Sequence, residues 1–280
     1  MNATTDLMWF DRSSGQVSTW LLNGHGNVLG AQSMNWTCSY ASGCSTAWVP
    51  VGTGDLDNDG NQDLTWFNAG SGEVSTWLTD GSGTVLGTQW VDWRCGSGCS
   101  SQWRPITLGD FNGDDNEDLL WWNSTSGVVS AWLMNGYGNV LAKQDLDWRC
   151  DFPSCAWYES PIGAGDMDND GRTDLVWFNY QTGVVSTWLL NDYGNVLAKQ
   201  TVDWRCDATS GCSYQWSPMG VGDLDGNGAQ DVVWHDTSSG VVSTWLLNGY
   251  GNVLAKQDLD WRCGLASSCS SQWKSVDLVR

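Results

Sequence analysis

The chain has 280 residues, a formal net charge of −20, only 16% charged residues, 34 Gly and 22 Trp. Hydrophobic residues make up 41%, enough to bury a sizeable core, which excludes disorder and suits one large all-β domain. The negative charge excludes a general attraction to nucleic-acid phosphates or anionic lipid, and no apolar run is long enough to span a bilayer, so cations, basic partners and neutral ligands remain.

In chain order, the first predicted strand is TDLMWF (Thr5 to Phe10), reached almost at once after Met1, as expected for a trimmed mature protein. The second begins at Val17 as VSTWLLN. From there the sequence repeats. VSTWLTD, VSAWLMN, VSTWLLN and VSTWLLN begin at Val74, Val129, Val185 and Val242, with a period of 55 to 57 residues. Four Trp positions keep this beat and account for 20 of the 22 Trp; Trp90 and Trp122 fall outside it. These Trp are architectural first.

Each copy reads as four short strands, shown by the third: WRPITLG (Trp103 to Gly109), DLLWWN (Asp118 to Asn123), GVVSAWLM (Gly127 to Met134) and NVLAKQDLDW (Asn139 to Trp148). Gly, Asn, Asp and Ser fill the turns, and no segment has a helical period of adequate length. Four strands per repeat predict an all-β fold, a five-bladed β-propeller of four-stranded antiparallel blades formed by residues 1–280 as one domain; a β-prism-like or tandem sandwich array is the competing reading. The chain ends on an unmatched first strand, QWKSVDLV (Gln272 to Val279). Joining it to the N-terminal blade would close the ring and remove two sheet edges.

Four loops share one acidic pattern, Asp55 to Asp63, Asp110 to Asp118, Asp166 to Asp174 and Asp223 to Asp231. Oxygen side chains recur at positions one, three, five and nine: Asp55, Asp57, Asp59 and Asp63; Asp110, Asn112, Asp114 and Asp118; Asp166, Asp168, Asp170 and Asp174; Asp223, Asp225, Asn227 and Asp231. Calcium takes six to eight oxygens, and alternating side chains on a tightly turning backbone can surround it. Position seven is Asn61, Asn116, Arg172 or Ala229, a variety that fits a backbone carbonyl as ligand. Position six is Gly60, Asp115, Gly171 or Gly228, where a left-handed residue is expected. About four structural Ca²⁺ ions are expected, one per loop.

The unit GDxDxDGxxDLxW followed by a V-x-x-W-L strand resembles the FG-GAP or VCBS repeat, over nearly the whole chain. The resemblance implies a calcium-binding propeller related to integrin α-chain heads and to fungal and bacterial lectins. The paired Cys insert of each copy departs from the usual repeat, so the family's ligand habits carry over weakly.

The ten Cys fall into local pairs: Cys38 and Cys44, Cys95 and Cys99, Cys150 and Cys155, Cys206 and Cys212, Cys263 and Cys269. Each cluster offers two thiols where zinc needs four ligands, so disulfides and an oxidising, secreted, extracellular or periplasmic setting are expected. Strand parity places the acidic loops and the turns between third and fourth strands on one rim, and the cysteine loops on the other. Just before the cysteines stands Asp-Trp-Arg: Asp92, Trp93, Arg94; Asp147, Trp148, Arg149; Asp203, Trp204, Arg205; Asp260, Trp261, Arg262; the first copy has Asn35, Trp36, Thr37. A Trp face with flanking Asp and Arg suits a sugar. A packed Trp beside a surface ion pair is the other reading, and both stay open.

No recurring His base, nucleophile–base pair or isolated carboxylate dyad is present, so no enzyme is expected. His235 takes the place of Phe67, Trp122 and Phe178 and reads as an aromatic-site variant. The sequence therefore predicts a multivalent carbohydrate-binding module that engages glycans, with a protein-adhesion propeller engaging a cell-surface protein as alternative. The chain is expected to be monomeric, with no nucleic-acid partner and no membrane insertion.

Overall fold

A computed structural model describes residues 6–23, 27–38, 47–92, 102–136, 138–149, 158–192, 194–206, 215–262 and 273–279; in 148–149, 204–205, 260–262 and 273–279 it describes the backbone alone. Blade one contains β1 (Asp6–Asp11), β2 (Gln16–Leu22) and β3 (Val28–Thr37). Blade two is β4 (Trp48–Gly54), β5 (Asp63–Asn68), β6 (Val74–Thr79) and β7 (Val85–Trp90). Blade three is β8 (Trp103–Gly109), β9 (Asp118–Asn123), β10 (Val128–Met134) and β11 (Val140–Arg149). Blade four is β12 (Glu159–Gly165), β13 (Asp174–Asn179), β14 (Val184–Leu190) and β15 (Val196–Arg205). Blade five is β16 (Trp216–Gly222), β17 (Asp231–Asp236), β18 (Val241–Leu247) and β19 (Val253–Arg262), and the chain finishes with β20 (Trp273–Val279).

Every sheet has four antiparallel strands, and blade one runs in the order β20-β1-β2-β3. Leu7 of β1 lies opposite Leu278 of β20, so the last strand completes the first blade. The inner strands β4, β8, β12, β16 and β20 neighbour one another in a closed circle. The protein is thus the expected five-bladed propeller, with no helix among the described residues.

The second strand of each blade is buried on both faces, which is why it reads as a continuous apolar run rather than an alternation. Its Trp (Trp9, Trp66, Trp121, Trp177 or Trp234) is 0 or 1% exposed and lies 4.4–4.8 Å from the third-strand Trp of its own blade. The next residue points to the opposite face and meets the second-strand Trp of the following blade near a right angle. These contacts are Phe10 to Trp66 at 5.2 Å, Phe67 to Trp121 at 5.4 Å, Trp122 to Trp177 at 6.3 Å, Phe178 to Trp234 at 5.1 Å and His235 to Trp9 at 5.3 Å. They form an unbroken aromatic circle. Trp122 and His235, irregular in sequence, are two of its links, and His235 serves as the aromatic variant.

The outer rim has its own ties. Asp92 Oδ1 accepts the Val140 N–H at 2.9 Å, Asp147 Oδ1 that of Val196 at 2.9 Å, and Asp203 Oδ1 that of Val253 at 2.9 Å; Asn35 Oδ1 does the same for Val85 at 3.0 Å. Each bond runs from the end of one outer strand to the start of the next blade's. Truncating one link should expose the importance of the aromatic circle. Phe178→Ala is expected to cost about 3–5 kcal/mol, read as a lower urea midpoint with an unchanged slope.

Candidate metal centres

The acidic loops join first to second strands, so they share a rim with the turns between third and fourth strands. Gly81 and Gly136 of those turns stand against the side-chain oxygens of Asn61 and Asn116, a contact too close for any Cβ. The parity argument therefore holds for this rim.

Each loop is tied by its own carboxylates. The position-one Asp accepts backbone N–H groups of positions five and six: Asp55 from Asp59 at 3.0 Å and Gly60 at 2.8 Å, Asp166 from Asp170 at 3.0 Å and Gly171 at 2.8 Å. Position five turns back to the N–H of position seven, as Asp59 does to Asn61 at 2.8 Å. This winding needs left-handed residues at position six, where Gly60, Asp115, Gly171 and Gly228 have φ of 88°, 64°, 88° and 90°. It also needs them at position four, where Asn58, Gly113, Asn169 and Gly226 have φ of 62°, 75°, 63° and 76°. The second requirement was missed in the sequence, although the Asn or Gly recurring at position four is its signal.

Position nine is buried outright. Asp63, Asp118, Asp174 and Asp231 are 0 or 1% exposed. Each accepts one N–H from the loop start (Leu56, Phe111, Met167, Leu224) and one from the end of the third strand (Thr79, Met134, Leu190, Leu247), at 2.8–3.1 Å. Burial, opposed by these two donors, pushes Asp63 up to about 6 and the other three up to about 7. Asp6 holds the same place in blade one, accepting the Leu22 N–H at 2.7 Å.

Three loops gather carboxylate oxygens within 4.8 Å of one another: Asp55, Asp57 and Asp63; Asp166, Asp168 and Asp174; Asp223, Asp225 and Asp231. Positions one, three and nine make these groups; position five stands outside them. In the first and third loops the Asp57 and Asp168 Oδ1 atoms are buried without a hydrogen-bond partner, and burial followed by the adjacent carboxylates raises both residues. An orphaned, crowded anionic oxygen is what a hard cation relieves, so the donor set fits a metal ion. The second loop differs. Asn112 replaces the position-three carboxylate, and its Nδ2 donates to Asp114 Oδ2 at 3.1 Å while Asn116 Nδ2 donates to Asp114 Oδ1 at 3.0 Å. At position seven, Arg172 pairs with Asp170 at 2.7 Å and Asp192 at 2.9 Å, and Ala229 is buried.

The remaining expected site residues are only partly in view. Asp92, Asp147 and Asp203 each commit one oxygen to the outer-rim tie. The side chains of Trp148, Arg149, Trp204, Arg205, Asp260, Trp261 and Arg262 lie outside the description, as do Trp93 and Arg94 entirely. In the first copy Trp36 stacks on Trp77 of blade two at 4.9 Å and 13°, a packing role. The corresponding third-strand Trp132, Trp188 and Trp245 carry Lys143, Lys199 and Lys256 over their rings at 3.7–3.9 Å. Cys38 and Cys206 are each half of a disulfide. Cys44, Cys95, Cys99, Cys150, Cys155, Cys212, Cys263 and Cys269 lie outside the described residues.

With this geometry in view, the FG-GAP-like repeat matches residues 55–121, 110–177 and 166–234. The chain belongs to the FG-GAP-like repeat family. No curated protein matches it in sequence. Among solved structures, this FG-GAP repeat chain is similar to an Agrocybe aegerita lectin described for specific recognition of non-reducing terminal N-acetylglucosamine (13% identity, TM-score 0.51, covering 91% of this chain and 90% of that one). It is also similar to a chain of a nidogen/laminin complex (12%, 0.51, 98% and 97%). A third likeness is to the Photorhabdus luminescens Tc holotoxin pore (17%, 0.51, 93% and 11%). At such identities these likenesses establish the shared fold.

The strained position six gives a test of the FG-GAP loop winding. Asp115→Gly is expected to stabilise the protein by about 0.5–1 kcal/mol, seen as a higher thermal midpoint.

Proposed function

We propose that the chain is a secreted calcium-binding propeller acting as a multivalent carbohydrate-binding module, and not as an enzyme. The observation that carries this reading is one surface repeated around the ring. Leu29, Leu86, Leu141, Leu197 and Leu254 occupy the same outer-strand place in all five blades and are 59–68% exposed. A fivefold surface suits a ligand that is itself repetitive, because several weak contacts made together give avidity. The net charge of −20 directs such a surface to neutral ligands rather than polyanions. The lectin with a similar fold supports glycan as the ligand.

Calcium enters as a structural ion. Asp55, Asp57 and Asp63, with their counterparts in the third and fourth loops, would hold it, and its charge would neutralise carboxylates that otherwise repel one another. The half-cystines Cys38 and Cys206 support local pairs with Cys44 and Cys212, repeated in the other blades, and hence an oxidising compartment. The Asp-Trp-Arg segments combine the outer-rim tie with a remaining carboxylate oxygen that can meet a sugar hydroxyl. A second reading, protein adhesion, is favoured by the similar fold in the nidogen/laminin complex.

Two measurements check these readings. Titration of chelator-treated protein with calcium should show about three tight sites, one per carboxylate triad, and should raise the thermal midpoint; no uptake and an unchanged midpoint would overturn the metal assignment. A glycan array probed with calcium present should give signal on neutral glycans. Silence there, with capture of a cell-surface protein that free sugars do not displace, would favour adhesion.

A further inference from the structure

The five blades differ on their outer strands, and blade two differs most. Along β7, Leu86, Thr88 and Trp90 face solvent in turn; Leu86 is 63% and Trp90 60% exposed. Register fixes the equivalence. The Ser of each V-S-x-W segment lies opposite Ser33, Trp90, Asp145, Thr201 or Asp258, so one blade alone puts an indole where the others place a polar group. The ring does not stand alone, because Trp48, only 9% exposed, lies behind it at 5.7 Å and 56°. β7 also stops at Trp90 after six residues, while β3, β11, β15 and β19 run for ten.

Charge separates the possible occupants. The strip from Leu86 to Trp90 carries no ionisable side chain in a chain of net charge −20, whereas the same faces of blades three to five carry Lys143, Lys199 and Lys256. An uncharged ligand matches this strip. A basic peptide would be drawn to the acidic loops, which share the rim where β7 begins, away from Trp90. From Leu86 to Trp90 the strip is about 13 Å long at the usual strand rise, a length that takes a short oligosaccharide. The indole face suits the C–H face of a pyranose. The Thr88 hydroxyl, and the backbone groups beyond Val85 of an edge strand that pairs with no further strand among the described residues, can meet the sugar hydroxyls.

We infer that the Leu86–Thr88–Trp90 strip of blade two is the main subsite for a neutral oligosaccharide, with Trp90 as its stacking platform. This rests on the carbohydrate reading above. The test is retention on insoluble chitin, cellulose and mannan with calcium present, comparing the unaltered chain with Trp90→Ser, which installs the blade-one residue, and with Trp90→Phe. Trp90→Ser should weaken retention at least about ten-fold, and Trp90→Phe should restore most of it. Leu86→Thr, at the far end of the strip, should weaken retention about three-fold and gives an independent reading if Trp90→Ser folds poorly. Equal retention of the unaltered chain, Trp90→Ser and Leu86→Thr overturns this inference while leaving the carbohydrate reading intact. No retention of the unaltered chain on any of the three overturns that reading itself. Capture of an uncharged peptide through Trp90, unaffected by sugar, also overturns the inference.

Discussion

The fold depends on ten aromatic contacts, five within blades and five between them. An indole buries about 200 Å², worth up to about 5 kcal/mol at roughly 25 cal/mol per Å², and an edge-to-face partner adds about 0.5–1.5 kcal/mol. Against this, the Nε1 groups of Trp9, Trp66, Trp121, Trp177 and Trp234 are buried with no hydrogen-bond acceptor. That loss is about 1–3 kcal/mol each, so apolar burial wins. The surplus is gained only when a neighbouring blade supplies the perpendicular ring, which makes each blade dependent on the next.

The polar ties sit where the aromatic circle cannot reach. At one rim, the buried position-nine carboxylates connect loop start, second strand and third-strand end through two backbone donors each. At the outer edge, a single Asp or Asn oxygen joins consecutive blades. Both are charge- or dipole-assisted bonds to backbone N–H groups, so they set register while the rings supply most of the energy. A cation at positions one, three and nine would act on the first kind of tie directly, because the same carboxylates serve both.

Much of this was legible in the residues. The beat of the Trp, the four short strands in each repeat and the left-over strand at the end were sufficient for five blades and their closure. Oxygen spacing was sufficient to mark the acidic loops and the left-handed place of Asp115. Other features could not be read in one dimension. That Asn112 turns its amide nitrogen onto Asp114 depends on side-chain orientation, which residue type does not give. The tie made by Asp92 spans 48 residues of sequence and joins two blades, so no local pattern announces it. Trp90 was visible as an exception to the beat, but its exposure follows from the edge position of β7.

Blade one is the only sheet assembled from both ends of this chain. During synthesis, four blades can stack as an open fan, with β1 and β4 each lacking the neighbour that only β20 provides. Blades five and one already share an apolar cluster in which Leu7, Trp9, Val233 and Val242 are fully buried, so β20 locks a contact that those side chains make without it. Without β20, β1 would be left as an unpaired sheet margin and β4 would lose one of its inner-ring neighbours.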